Sequence, residues 1–182
     1  MQKRTIWKTL AALPLLSGLF AAASAGPLDT LQPGQWYEFP SSQISSVLPS
    51  PLPEGNPAAV MSYSGGTWDT KRNRLIVWGG GHAGYAGNEI YAFSVANGTW
   101  SRLTNPTASP DSVHSYDQLE YLPNQDTFFA PGGSQWGSGS AIRSTWLFNF
   151  ATGTWTDAGP MPSDVYSFWY FNMTTDYDPA SG

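Results

Sequence analysis

Hydrophobic and polar positions follow the same order in two stretches of the chain, residues 75–100 and 128–155. Each stretch has an apolar run, a glycine cluster, a polar loop, alternating aromatic residues, a tight turn and a tryptophan. Short alternating segments between turn residues are typical of antiparallel strands, so a unit of about 50 residues is predicted to occur twice. Its landmarks recur 53 or 55 positions apart: Gly79 and Gly132, Tyr91 and Trp146, Phe93 and Phe148, Gly98 and Gly153, Trp100 and Trp155.

Four strands are predicted in each copy of the unit. The segment 69–73 lacks apolar side chains, and Asn97-Gly98 suits the positive φ of a hairpin turn. The predicted fold is therefore all-β, with four-stranded antiparallel units at residues 58–110 and 111–163. The strands are expected at residues 58–64 continuing to 68, 75–78, 89–95 and 99–103, and at residues 112–122, 127–130, 144–150 and 154–157.

The flanking segments match parts of the unit. Within the N-terminal segment, residues 26–57, the stretch 33–39 matches the fourth strands and is predicted to be a lone last strand. Such a strand either completes the final sheet of a closed ring or caps the first unit. Residues 164–182 are predicted to start a third, incomplete unit, since 177–182 match 68–73. Two units cannot close a ring, so we expect a truncated longer protein or assembly with other chains.

The repeated landmarks resemble those of kelch repeats and galactose-oxidase-like β-propellers. The shared features are a glycine pair after the second strand, an aromatic residue on the third and a tryptophan at the start of the fourth: Gly79-Gly80 and Gly132-Gly133, Tyr91 and Trp146, Trp100 and Trp155. The resemblance covers residues 58–157 and implies a kelch-type propeller segment. The first copy, with GGGH and GNEIYAF, also resembles secreted bacterial kelch-repeat proteins.

Copper-radical chemistry of the galactose oxidase kind needs a cysteine joined to a tyrosine. The chain contains no cysteine. The resemblance therefore does not extend to copper, and no cofactor is expected.

Residues 1–25 have the pattern of a secretory signal peptide. Lys3, Arg4 and Lys8 precede a short apolar run, and Ala23-Ser24-Ala25 provides a small-residue cleavage site. The apolar run is interrupted by Pro14 and is shorter than the roughly 20 residues that a membrane-spanning helix needs. A secreted or periplasmic protein is predicted, with no membrane association after cleavage.

The charge balance limits the class of partner. Cleavage after residue 25 would remove three of eight basic residues and none of thirteen acidic ones, which leaves a formal charge of −8. Such a surface repels nucleic acid and anionic lipid, so neither is expected as a partner. A glycan or another protein is the expected partner class. The absence of cysteine also leaves apolar burial between sheets as the main source of stability.

Both histidines of the chain are predicted to lie at one face of the sheets. His82 follows the second strand of the first unit and His114 begins the first strand of the next, and these connections emerge on the same side of an up-and-down sheet. Acid or base candidates are His82, Glu89 and His114. The residues predicted to contact a ligand are Tyr85, Asn88, Tyr116, Trp136 and Arg143.

Structural roles remain open for the same residues. A histidine beside a glycine loop often forms a hydrogen bond with neighbouring backbone groups, and Glu89 is able to form an ion pair with Arg143. No short His or carboxylate spacing favours a metal site. The expected function is a ligand-binding or interaction module, with carbohydrate as the leading ligand. The alternatives are an extracellular polysaccharide lyase or oxidoreductase that uses the histidine face, and a structural assembly protein.

Overall fold

A computed structural model describes residues 26–40, 42–163 and 173–181. The chain divides into two compact units, Met1–Tyr37 and Glu38–Gly182. The described part of the first unit forms turns, and the Asp29 carboxylate accepts a hydrogen bond from the Gly26 amide at 2.6 Å. The predicted signal peptide lies outside the described residues. Within the described ranges, no helix has the length and apolar character needed to cross a membrane.

Ten strands and two short helical segments form the described part of the second unit. A 3₁₀ helix covers Ile44–Val47, and helix α1 covers Ala59–Ser62. The strands are β1 (Gly66–Asp69), β2 (Arg74–Trp78), β3 (Ile90–Ser94), β4 (Thr99–Arg102), β5 (Val113–His114), β6 (Glu120–Leu122), β7 (Thr127–Pro131), β8 (Ser134–Gln135), β9 (Ser144–Asn149) and β10 (Thr154–Pro160).

Two antiparallel sheets account for eight of these strands. The first sheet has the order β1-β2-β3-β4, and the second has the order β6-β7-β9-β10. Strands β5 and β8 pair separately, with Val113 opposite Gln135 and His114 opposite Ser134. The prediction of an all-β fold with two four-stranded antiparallel units is confirmed.

Equivalent residues pair with each other in the two sheets. Their hairpin turns also correspond, because Asn73 and Asp126 both have a φ of 51°. Asn and Asp tolerate this left-handed conformation better than most non-glycine residues. One row of facing residues crosses each sheet: Trp68, Leu75, Phe93 and Trp100 in the first, and Tyr121, Phe128, Phe148 and Trp155 in the second.

The main core lies between the sheets. Ile76 and Trp78 of the first sheet pack against Phe128 and Phe148 of the second. At the hairpin turns, the Arg72 guanidinium donates two hydrogen bonds of 2.7 Å to the carboxylate oxygens of Asp126. A bidentate pair of this kind fixes the orientation as well as the separation of its partners. The first sheet therefore covers the aromatic row of the second.

Helix α1 replaces the strand that was predicted at residues 58–64. The Asn56 side chain accepts a hydrogen bond from the Ala58 amide at 3.0 Å. The Asn56 carbonyl also accepts a hydrogen bond of 3.0 Å from the Ala59 amide, so Asn56 and Pro57 form a turn that leads into α1. Ala59 and Val60 then pack on the face of the first sheet that points away from the second.

One strand was predicted at residues 112–122, but the structure has two separate strands there, β5 and β6. Tyr116 has a φ of 46°, which interrupts the extended backbone. The Ser115 hydroxyl donates a hydrogen bond of 2.8 Å to the Trp78 carbonyl and ties the interruption to the first sheet. Only Glu120–Leu122 joins the second sheet, and His114 instead lies in the separate β5–β8 pair.

Residues 33–39, all of them described, form no strand, in contrast to the prediction. The first sheet already has β4 as its outer strand. Residues 38–40 and 42–48 instead cover that sheet: the Phe39 and Phe93 ring centroids lie 5.1 Å apart, and the Trp100 indole donates a hydrogen bond of 3.0 Å to the Ser42 carbonyl. These residues therefore pack against the first sheet without adding a strand to it.

The C-terminal segment meets the second sheet as the second sheet meets the first. Thr174 forms a parallel bridge with Asp117, and Tyr116 forms one with Ser64. The amide of Thr175 donates to the Asp117 carbonyl at 3.2 Å, just as the Tyr116 amide donates to the Tyr63 carbonyl at 3.1 Å. Residues 173–181 therefore meet the second unit at the segment that precedes β6. The rest of the predicted third unit, residues 164–172 and 182, lies outside the described residues.

Candidate functional site

The glycine cluster after β2 brings the first unit close to β5. The Gly80 amide donates to the Val113 carbonyl at 2.7 Å, and the Gly81 amide donates to the Ser112 hydroxyl at 2.8 Å. A Cβ on Gly81 would lie 2.2 Å from the His114 amide nitrogen, and its φ is +52°. Both the close approach and the left-handed backbone require glycine here. The cluster therefore sets His82 next to His114.

The structure brings the two histidines together. Their ring centroids are 5.4 Å apart. The Tyr63 ring stacks on His114 at 4.5 Å with an interplanar angle of 21°, and Tyr116 meets His114 edge-on at 5.8 Å. Six residues line a cleft of about 520 Å³, which is here called the histidine cleft: Tyr63, His82, Ala83, Gly84, His114 and Tyr116.

His114 is the buried member of the pair. Its side chain is only 5% exposed, and its Nε2 atom has no hydrogen-bond partner among the described residues. Burial, and to a smaller degree the charge of His82, lowers the pKa of His114 below 6.5. The ring is therefore neutral at neutral pH, and its buried Nε2 is a donor or an acceptor according to the tautomer.

The two tyrosines of the cleft differ in exposure. Tyr63 is 54% exposed, whereas Tyr116 is half-buried. Burial raises the pKa of Tyr116, an effect that a hydrogen bond with Ser134 opposes. The Tyr116 hydroxyl therefore stays protonated, and each tyrosine offers a polar group beside an apolar ring. Such amphipathic side chains suit a ligand that has both apolar and polar surfaces.

Tyr85 and Glu89 lie beneath the surface and not in the histidine cleft. The Tyr85 hydroxyl donates a hydrogen bond of 3.1 Å to Glu89 Oε1. Glu89 is 1% exposed, and its Oε2 has no partner in the described part of the chain. Burial raises the pKa of the Glu89 carboxyl and also that of the Tyr85 hydroxyl. This geometry favours a structural role for both residues.

Asn88 holds a loop in place. Its side-chain nitrogen donates to the carbonyls of Thr107 and Pro110 at 2.9 and 2.5 Å, and its oxygen accepts from the Thr107 amide at 2.9 Å. Because its amide group is occupied by these backbone partners, Asn88 acts as a buried tie between two loops.

Trp136 and Arg143 are not among the residues that line the histidine cleft. The Trp136 amide donates to the Ser112 carbonyl at 2.8 Å, and its side chain is half-buried. The Arg143 guanidinium donates to the Met161 carbonyl and lines a separate cleft of about 470 Å³. The positive charge of Arg102 opposes the rise in the pKa of the Glu89 carboxyl. The described residues contain no ion pair between Glu89 and Arg143.

Three contributors to the site were absent from the sequence prediction. Tyr63 was placed within a predicted strand, although it stands 53 positions before Tyr116 and so matches it in the repeat. Gly84 packs closely beside His114, since a Cβ there would lie 3.2 Å from Nε2. Gly139 does the same at His82, whose Cδ2 would be 2.6 Å from an added Cβ. These roles depend on contacts between distant segments, which residue type alone does not indicate.

The described residues contain no group of three or more His, Cys, Asp or Glu side chains arranged to hold a metal ion. No protein-family model matches the sequence, and a search of curated proteins finds no match. The candidate site is therefore interpreted from its own chemistry.

Proposed function

We propose that the protein is a carbohydrate-binding module and that the histidine cleft receives the sugar. The unpartnered Nε2 of His114 carries this proposal, because a buried polar atom without a partner costs about 1–3 kcal/mol until one is supplied. Tyr63 adds an exposed aromatic ring at the same cleft. Sugar rings have apolar faces and hydroxyl edges, and these features are complementary to such a pair.

Substitution of Tyr63 tests the proposal against a matched control. Tyr63→Ala is expected to weaken retention of oligosaccharides on a glycan panel at least tenfold. Met61→Ala serves as the control, since Met61 is 50% exposed on the adjacent helical turn and lines a different cleft. Equal retention by wild type and both variants, or no retention by wild type, contradicts the proposal.

A second candidate function is acid-base catalysis on a polysaccharide. The lowered pKa of His114 favours it, because a neutral imidazole near a second imidazole can accept a proton at neutral pH. Incubation of wild type with polysaccharides, followed by chromatography of the products, separates the two functions. Turnover that is lost in His114→Gln supports the enzyme. Retention without turnover supports the binding module.

We further propose that the two sheets are neighbouring units of a kelch-type propeller and that the protein is exported. The repeated aromatic row, and the stacking of one sheet on the row of the next, support the first statement. The residue pattern of residues 1–25 supports the second. Mass spectrometry of the protein from culture supernatant or periplasm should find an N-terminus at Gly26. An intact N-terminus in the cytoplasmic fraction contradicts export.

A further inference from the structure

We propose that the histidine cleft selects sugars that carry a carboxylate, which makes acidic glycans its ligand class. This inference rests on the carbohydrate-binding function proposed above. It adds the charge of the ligand, which the binding function alone leaves open.

The chemistry of the cleft lining favours an acceptor-rich ligand. Two imidazoles and two phenols line it, and its described lining residues include no carboxylate. Imidazole N–H and phenol O–H groups donate hydrogen bonds, and an imidazolium donates from both nitrogens. A carboxylate accepts up to four hydrogen bonds and is the sugar substituent that best fits such a set.

The geometry allows one ligand group to meet both rings. The His82 and His114 centroids are 5.4 Å apart, and His82 is exposed, so a carboxylate that contacts the His82 ring also lies close to the His114 ring. Gly84 and Gly139 pack closely against the rings, because an added Cβ would lie 3.2 Å from His114 Nε2 or 2.6 Å from His82 Cδ2. The two loops therefore hold both rings in position.

The electrostatics of the cleft predict that binding is linked to proton uptake. The titratable groups that face His114 are His82 from the loop after β2, Tyr63 from the segment after α1, and Tyr116. The nearby Asp111 carboxylate instead accepts a hydrogen bond of 2.5 Å from the Gln135 side chain. Burial and His82 disfavour protonation of His114 in the free protein. A bound carboxylate favours protonation, so affinity should rise as pH falls.

Calorimetric titration of the full chain with digalacturonate and with its methyl ester tests this inference. The acid is expected to bind at pH 5.5 and 7.5, with affinity increasing about tenfold per pH unit where one proton is taken up. The ester has the same sugar rings without the charge. It is expected to bind at least tenfold more weakly at pH 5.5 and to show no such increase.

Two variants assign the effect to the cleft. His114→Gln should abolish the pH dependence and weaken binding of the acid at least tenfold. Gly84→Ala, whose added Cβ would lie 3.2 Å from His114 Nε2, should also weaken binding of the acid while it retains both histidines. Circular dichroism checks that each variant is folded. Equal affinity for acid and ester overturns the carboxylate inference but leaves the binding function intact. Absence of binding to the acid, the ester and the glycan panel overturns both the carboxylate inference and the proposed binding function. A pH dependence that persists unchanged in His114→Gln also overturns the inference.

Discussion

The loops after the second strand of each unit differ far more than the sheets that carry them. In the first unit this loop holds His82, Tyr85 and Glu89, whereas the corresponding loop of the second unit is rich in Gly and Ser. The two loops nevertheless meet at one place, because the His82 amide donates to the Gln135 carbonyl at 3.2 Å and Gly139 packs against the His82 ring. The two tyrosines of the cleft stand at equivalent positions of the repeat, and the two histidines stand at positions where the units differ.

The sheets also differ in what covers them. The aromatic row of the second sheet is buried beneath the first, with Phe128 fully buried. The equivalent row of the first sheet is covered by α1 and by residues 38–40 and 42–48, and this cover leaves Trp68 40% exposed. The same row is therefore stabilised by a neighbouring sheet in one unit and by a partial cap in the other.

The largest expected effect tests this difference at equivalent positions. Phe128→Ala should lower the free energy of unfolding by about 3–5 kcal/mol, because it leaves a cavity between the sheets. Leu75→Ala, at the equivalent position of the half-covered row, should cost about half as much or less. Urea unfolding followed by tryptophan fluorescence measures both. Equal losses would mean that the cap covers its row as effectively as a sheet does.

A second prediction concerns the two glycine loops. Gly81→Ala should destabilise the protein by more than about 2 kcal/mol, because it combines a left-handed backbone with a clash against the His114 amide. Gly137→Ala, in the second loop, has a φ of +78° and nothing within 4 Å of the added Cβ, so its cost should be limited to about 1–2 kcal/mol. Thermal unfolding compares the two variants. A milder effect at Gly81 than at Gly137 contradicts the close contact between the loop and β5.

The smallest expected effect depends on pH and on the buried Glu89. Because its pKa is raised by burial, the folded state holds the proton more tightly than the unfolded state. The associated stability is present below pH 4.5 and is lost as pH rises through the folded pKa. Glu89→Gln should therefore stabilise the protein at pH 7 by about 1 kcal/mol and have little effect at pH 4. Urea midpoints at the two pH values check the sign. Destabilisation at pH 7 would indicate that the charged carboxylate is needed.

Much of the sheet structure was predictable from residue pattern. Strands β2, β3 and β4 lie within one residue of their predicted bounds at each end because their apolar alternation and turn residues agree. The helical turn in the segment 58–64 was not predicted from residue pattern. The hydrogen bond from the Ala58 amide to the Asn56 side chain, together with Pro57, outweighs the strand-like composition of this segment. The site was partly predictable: chain topology placed His82 and His114 together. The burial of Tyr85 and Glu89 and the contribution of Tyr63 depend on how distant segments pack, which the linear pattern does not contain.

The most direct test of the account is whether sugar contacts the two imidazoles. Since the chain has two histidines, nuclear magnetic resonance of the ring ¹H–¹³C signals reports on both sides of the cleft separately. Titration with digalacturonate, and with cellobiose as a neutral sugar, is predicted to shift the His114 and His82 ring signals together along one saturation curve for at least one sugar. Saturable binding that leaves both sets of ring signals unmoved, or no binding of either sugar, would contradict the assignment of the histidine cleft as the binding site.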